Sequence, residues 1–379
     1  MKKAKNNLQR IHIDCRMLYS SGIGRCLREI IKELILIDSN ITIYFYGSPP
    51  DYKRFMDEYY ISQDRLILNI NDSPIYTLKE QLAFSWINLK NKNIDIFYYP
   101  HYNLPFYTQR NNIFTIHDFI QFKFPDYFGK TRVKVAKMIL DNSVKHAKKI
   151  IAVSESTAKD FGDYFPQYKE KVEVIFNGIS KNFKVLDDKQ KKDFAGRHKL
   201  GEYLLFIGND KPHKNINGLI NAFIEVKKEY AYLKLVIISR GFNLNSLILD
   251  DNIRKDIIQI DDVSETELIN YYNCANMLAL PSYYEGFGLP IVEAMACGCP
   301  VISSNISSMP EIAGGAAYLI DPFDVFSIKE GIKKLIEGRN LRSELIKKGI
   351  ERAKVFDWRK TAIRYLETFR EVYKKSINL

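Results

Sequence analysis

Two acids eight residues apart, Glu285 and Glu293, flank the run Gly286-Phe287-Gly288-Leu289-Pro290. A β-rich segment, Met277 to Leu280, ends just ahead of them, and a helical pattern follows with Pro290 at the expected first position, where a missing N–H costs nothing. A strand, a glycine-bearing loop and a helix N-terminus in that order present backbone amides and the positive end of a helix dipole, which suits a diphosphate. Gly286 and Gly288 allow the close backbone approach that such a ligand needs. The spacing sets Glu285 in the loop and Glu293 about one turn into the helix, so they can address two parts of one ligand. A carboxylate accepts from two vicinal hydroxyls at once, a ribose diol for Glu293 and sugar-ring hydroxyls for Glu285. Two acids beside a helix N-terminus are also an ordinary stabilising feature.

Other residues of the same chemical interest stand at strand ends. Lys214 follows the turn Gly208-Asn209-Asp210-Lys211-Pro212 after the strand-like run Tyr203 to Ile207, so its ammonium sits at a carboxyl-edge loop or is simply a surface lysine. His117 ends another run, with Asp118 directly after it to orient the ring or cap the next segment; a structural histidine is the plainer alternative. Gly22-Ile23-Gly24 makes a turn with Arg25 opening the first helix, a pattern that does not satisfy the dinucleotide fingerprint and disfavours a dehydrogenase. Ser264 and Glu267 form a Ser-x-x-Glu capping box, which starts a helix near Glu265. Glu311, after Pro310, reads as structural.

The elements that must carry these residues alternate. Short β-rich runs at Ile11 to Cys15, Ile41 to Tyr46, Ile94 to Tyr99, Ile113 to Ile116, Ile150 to Val153 and Val172 to Ile175 are separated by longer helical patterns. A second series follows the polar stretch Asp187 to Gly201, at Tyr203 to Ile207, Leu233 to Ile238, Ile257 to Ile260, Met277 to Leu280 and Val301 to Ser303. This repetition predicts α/β architecture with two Rossmann-like, doubly wound parallel sheets facing a cleft. Ligands of such sheets bind beyond the carboxyl ends of the strands. The boundary is expected between Asn177 and Gly201, with units of 1–184 and 185–357 and hinge motion in between.

The chain has 379 residues, more than one hydrophobic core normally serves. With 46% apolar and 27% charged residues and no repeat or low-complexity tract, disorder is disfavoured. Five cysteines, Cys15, Cys26, Cys274, Cys297 and Cys299, lack zinc-ligand spacing and read as reduced thiols of a cytoplasmic protein. No apolar run of about 18 residues is present, and the basic N-terminus is followed by no long apolar segment, so neither a membrane span nor a cleavable signal is expected. The net charge of +11 is partly local: Gly129 to Ile150 holds seven Lys/Arg against the single acid Asp141. That stretch is either a solvated helix face or a contact for anionic lipid at the inner face of the plasma membrane. No nucleic-acid module accompanies the charge, so nucleic acid is not an expected partner.

The frame Glu285-x7-Glu293 within Gly286-Phe287-Gly288-Leu289-Pro290 and Glu293-Ala294-Met295-Ala296-Cys297-Gly298 resembles the retaining glycosyltransferases of family 4, also called glycosyl transferases group 1, with the GT-B fold. Further matches are Gly22 to Arg25, Thr115-Ile116-His117-Asp118, Val153 to Ser156, Phe176 to Ile179, Pro212-His213-Lys214-Asn215-Ile216 and Ser308 to Gly314. The resemblance implies a nucleotide-diphosphate sugar as donor substrate and no separate cofactor, and no Asp-x-Asp motif flanked by apolar strands appears, so a divalent metal is not required. Its diphosphate would be gripped by Lys214 and the Gly288/Leu289 loop with Gly286 and Phe287, its ribose by Glu293, and its sugar by Glu285 and His117. Gly24 would approach the phosphates from the other unit, and the backbone near Val263 would meet the base, or serve the cap alone. His213 departs from the family, which has a cation more often there; neutral imidazole grips phosphate less well. Retention implies an oxocarbenium-like transition state with the leaving diphosphate as base, and closure of the units would exclude water. The final helix, 358–379, is expected to cross back onto the N-terminal, acceptor-side unit, leaving 185–357 as the donor unit. Similarity to bacterial O-antigen and exopolysaccharide mannosyltransferases favours GDP-mannose, then UDP-glucose or another UDP-hexose, with a saccharide or lipid-linked acceptor. An epimerase, a phosphorylase or a noncatalytic saccharide-binding subunit are the competing classes.

Overall fold

The computed structural model describes residues 8–75, 77–90, 93–108 and 111–377. The basic N-terminal residues 1–7 and the last two residues of the expected C-terminal helix lie outside them. The chain forms two compact units, residues 1–178 with 358–379, and residues 179–357.

The first unit holds β1 (Arg10–Asp14), α1 (Ser21–Ile37), β2 (Thr42–Gly47), α2 (Pro49–Tyr59), β3 (Leu66–Ile70), α3 (Leu78–Lys90), β4 (Ile96–Tyr99), β5 (Asn112–Ile116), α4 (Ile120–Lys123), α5 (Lys130–His146), β6 (Lys149–Ala152), α6 (Glu155–Tyr164) and β7 (Val172–Val174). All strands are parallel, in the order β3-β2-β1-β4-β5-β6-β7. Strands β4 and β5 are buried throughout, as expected where helices cover both faces of a parallel sheet. Each fully buried large side chain among Phe45, Phe97 and Phe114 contributes about 1.5–3 kcal/mol of transfer free energy.

The second unit holds α7 (Asp188–His198), β8 (Tyr203–Ile207), α8 (Ile216–Lys227), β9 (Lys234–Ile238), α9 (Asp251–Arg254), β10 (Ile257–Ile260), α10 (Glu265–Cys274), β11 (Met277–Leu280), α11 (Leu289–Ala296), β12 (Val301–Ser304), α12 (Met309–Ala313), β13 (Tyr318–Ile320), α13 (Val325–Glu337) and α14 (Arg339–Ala353). Its parallel sheet runs β10-β9-β8-β11-β12-β13. The order reverses between β8 and β11, which pair at Met277–Leu204 and Leu278–Leu205. That switch point is where an open α/β sheet leaves a crevice at its carboxyl edge.

A last helix, α15 (Trp358–Ile377), belongs to the first unit and packs on α1 and β4. Its Tyr365 ring meets Tyr98 edge-on at 5.6 Å, and Thr361 donates to the Phe176 carbonyl at 2.8 Å.

Several local expectations differ from what forms. Gly22-Ile23-Gly24 is not a turn: α1 already starts at Ser21, so Arg25 lies in its second turn. A Cβ on Gly24 would stand 2.5 Å from the Met17 and Leu18 carbonyl oxygens, so the glycine lets α1 lie against that backbone. The polar stretch after Leu186 contains α7, which begins with a capping box between Asp187 and Gln190. The capping box of Ser264 and Glu267 starts α10 as expected.

Candidate active site

The loop after β8 and the loop after β11 lie on either side of the switch point, and they bring Lys214 and Glu285 together. Lys214 sits in a short 3-10 turn, Pro212–Lys214, and its Nζ donates to Glu285 Oε1 and Oε2 at 2.6 and 2.7 Å. Ser282 donates to Glu285 Oε1 at 2.7 Å. Backbone also joins the loops, because the Tyr283 N–H donates to the His213 carbonyl at 2.7 Å.

Leu289 and Pro290 are the first two residues of α11, and Gly288 at the cap has φ 94°, a left-handed conformation open to glycine. No side chain caps this helix. Glu293, in the second turn of α11, is buried, and the Tyr272 hydroxyl donates to its Oε2 at 2.8 Å. Phe287 is buried and meets Phe356 edge-on, which anchors the far end of the loop. The backbone N–H of Val263, just before α10, donates to Asp262 Oδ1 at 3.1 Å.

His213 is buried, and burial with the adjacent Lys214 charge pushes its pKa down to about 4. It is therefore neutral at pH 7 and contributes no positive charge beside Lys214. The single cation in this turn that meets Glu285 is Lys214 itself.

In the first unit, His117 stands at the end of β5 and Nε2 lies 3.0 Å from the Pro100 carbonyl. A carbonyl only accepts, so Nε2 carries the proton and Nδ1 is the acceptor. Burial lowers the His117 pKa to about 4, against the pull of the Pro100 carbonyl, so the ring works as a neutral hydrogen-bonding group at pH 7. His101, one residue past Pro100, lies close enough to feel the His117 charge and is lowered to about 3, mainly by burial. Gly24 is buried, and its lack of a Cβ lets it lie against the backbone of residues 17–18.

Reading the sequence alone missed Tyr272, Ser282 and His101. His101 carried a usable signal, a histidine directly after the buried run Ile96 to Tyr99 and Pro100. Tyr272 carried none, since a tyrosine inside an amphipathic helix is usually packing.

Two parallel α/β sheets of this topology are those of the GT-B fold, and solved structures agree. Over 96% of this chain and 100% of theirs, HepE from Anabaena in complex with UDP and glucose superposes with a TM-score of 0.73 at 17% identity. WaaG, a glycosyltransferase involved in lipopolysaccharide biosynthesis, gives 0.75 at 14% identity over 95% of this chain and 99% of its own.

The model of the glycosyl transferases group 1 matches residues 187–352 and that of glycosyltransferase family 4 matches residues 20–183. The chain belongs to this glycosyltransferase family. It is 28% identical to O-antigen chain mannosyltransferase B of Escherichia coli over 355 residues, 89% of this chain and 93% of that one. It is 30% identical to O-antigen chain mannosyltransferase RfbU of Salmonella typhimurium over 240 residues, 62% and 63% of the two chains.

Proposed function

We propose that this glycosyltransferase moves a hexose, mannose from GDP-mannose in the first instance, onto a saccharide or lipid-linked acceptor, with retention at the anomeric carbon and without a metal ion. The observation that carries the reading is the Lys214–Glu285 pair beside the N-terminus of α11. Lys214 and the α11 amides supply positive charge to the diphosphate, Glu293 holds the ribose and Glu285 the sugar. As the glycosidic bond to the diphosphate breaks, the bond to the acceptor oxygen forms on the same face and the departing phosphate takes the hydroxyl proton. In this reading Lys214 and the α11 amides take the place of a divalent cation at the leaving oxygens. The mannose assignment is supported by the names of the O-antigen relatives; a UDP-hexose is the next donor in order.

Titration calorimetry against GDP, UDP, GDP-mannose and UDP-glucose, with and without magnesium, tests this. Magnesium-independent binding of one nucleotide class, lost in Glu293→Ala and Lys214→Ala, is the expected result. No binding of any of the four overturns the donor site and leaves a noncatalytic saccharide-binding role.

The first unit also carries the features of a peripheral membrane contact. On α3, Leu82 and Trp86 are 73% and 56% exposed, one turn apart. The segment between β4 and β5 adds exposed Phe106 and Tyr107, and is tied to Gln81 of α3 and Asn142 of α5 by hydrogen bonds. On α5, exposed Val135 and Met138 stand among Lys130, Arg132, Lys134 and Lys137. Exposed apolar side chains together with the basic face of α5 suit an anionic bilayer surface, and the cytoplasmic leaflet is the one this chain would meet. Among the described residues no helix is long and apolar enough to cross a membrane. Sedimentation with phosphatidylglycerol vesicles but not with phosphatidylcholine vesicles, weakened by Trp86→Ser, is expected; equal recovery with both lipids overturns the contact.

A further inference from the structure

The loop between β12 and α12 gives up local stability in two places, and both places face Glu285. Ser307 has φ 60°, in the left-handed region that a non-glycine residue seldom occupies. Its hydroxyl donates to the Glu285 carbonyl at 2.7 Å and accepts from the Glu285 N–H at 3.2 Å, a reciprocal bond to one residue's backbone. Ser308 occupies the N-cap of α12, a position where serine normally accepts from the first-turn amides. It makes no such bond. Its hydroxyl is turned instead onto the Glu285 and Phe287 carbonyls, at 2.9 and 3.0 Å. A third serine of the same segment, Ser304, donates to the Ser282 carbonyl at 2.7 Å.

Strained backbone conformations persist where the surroundings over-determine them, and they concentrate at functional sites. A loop of 281–288 held only by its ends would let Glu285 swing, since Gly286 and Gly288 flank it on one side. The serine contacts fix its backbone N–H and carbonyl together, so the carboxylate is presented from an immobile base.

We propose that Ser307 and Ser308 are positioning residues that hold Glu285 for the transfer step, a reading that rests on Glu285 being the sugar-facing group of the donor site. Neither serine touches the donor in this assignment; both act through the Glu285 backbone.

Ser307→Gly and Ser307→Ala separate positioning from stability. Glycine removes the hydroxyl and relieves the positive φ, whereas alanine removes the hydroxyl and keeps the strain. The melting temperature of Ser307→Gly is therefore expected at or above that of the parent, and that of Ser307→Ala below it. Both are expected to lose at least tenfold in kcat/KM for the donor selected from GDP-mannose and UDP-glucose, while Kd for the matching GDP or UDP stays within twofold. Ser308→Ala, which removes no cap, is expected to follow them in kcat/KM. Parent-level kcat/KM in Ser307→Gly overturns the proposal. Glu285→Gln, assayed alongside, keeps the two readings apart. If Glu285→Gln is inactive while Ser307→Gly is fully active, only the serine brace fails. Full activity in Glu285→Gln removes the donor-site assignment itself, and the brace with it.

Discussion

The Lys214 ammonium is engaged by both oxygens of the Glu285 carboxylate, at 2.6 and 2.7 Å, with each side chain only about a tenth exposed. A diphosphate arriving at Lys214 must compete with that carboxylate. Glu285→Gln therefore has opposite effects on two measurements: Kd for the nucleoside diphosphate falls about tenfold, while turnover of the sugar nucleotide drops. Tenfold is about a third of the ~4 kcal/mol for a unit-charge pair at 4 Å and an effective dielectric of about 20. Calorimetry checks the first effect and product formation the second; weaker diphosphate binding in Glu285→Gln contradicts the competition.

Tyr272 and Glu293 are both buried, and their 2.8 Å hydrogen bond lies inside the second unit. Tyr272→Phe deprives a buried carboxylate of one donor, at a cost of about 1–3 kcal/mol in stability by urea unfolding. The donor KM is expected to rise with kcat largely kept, since Glu293 is assigned to ribose binding. A parent-like KM in a stably folded Tyr272→Phe separates the tyrosine from the site.

Acid should loosen the first unit before the second. Burial lowers His12 and His117 to about 4 and His101 to about 3, all in the first unit, and His213 to about 4 in the second. Each folded value lies below the unfolded value near 6.5, so the unfolded chain binds the proton first. Stability is then full above pH 6.5 and falls toward pH 4, by up to about 1.4 kcal/mol per pH unit for each group. Hydrogen exchange at pH 7 and pH 5 is expected to show greater loss of protection in β1, β4 and β5 than in β8 and β11. Equal loss in both units contradicts this.

His12 offers a sharper form of the same test. Both of its ring nitrogens are buried without a hydrogen-bond partner among the described residues, between the rings of Tyr46 and Phe97 at 4.9 and 5.2 Å. His12→Phe keeps the shape and removes two unsatisfied polar atoms. A gain of about 1–3 kcal/mol is expected, together with a shallower pH slope in urea melts; a loss of stability indicates a partner for the ring.

Gly22 and Gly24 should respond oppositely to alanine. At Gly24 the new Cβ meets the Met17 and Leu18 carbonyl oxygens at 2.5 Å, and a cost of about 1–3 kcal/mol follows. At Gly22 nothing lies within 4 Å, and helix propensity favours alanine by up to about 1 kcal/mol. Thermal melts of the two variants decide whether packing governs this segment.

The alternating architecture was legible because central strands such as Met277–Leu280 are buried throughout and read as continuous apolar runs. The strands missed, Leu66–Ile70 and Tyr318–Ile320, lie at sheet edges and are partly exposed, so they lack the continuous buried run of a central strand. Gly22 to Gly24 misled because Gly-x-Gly suggests a turn locally, whereas the fold uses Gly24 for helix contact. Within the site, Lys214, Glu285 and Glu293 were visible because loop and helix N-terminus leave a spacing in the sequence. Ser307, Ser308 and Tyr272 were not, because their partners lie about twenty residues away and only the folded chain brings them close.

Because α15 belongs with residues 1–178, the second unit is an insertion between two parts of the first. A ribosome therefore delivers all of residues 179–357 before the helix that covers Tyr98 and Thr115 exists. The unit encoded first is finished last, and during synthesis its α1 and β4 surface stays bare while the later unit is already able to close its sheet. Released chains ending before Trp358 would thus carry a complete second unit and an unfinished first one.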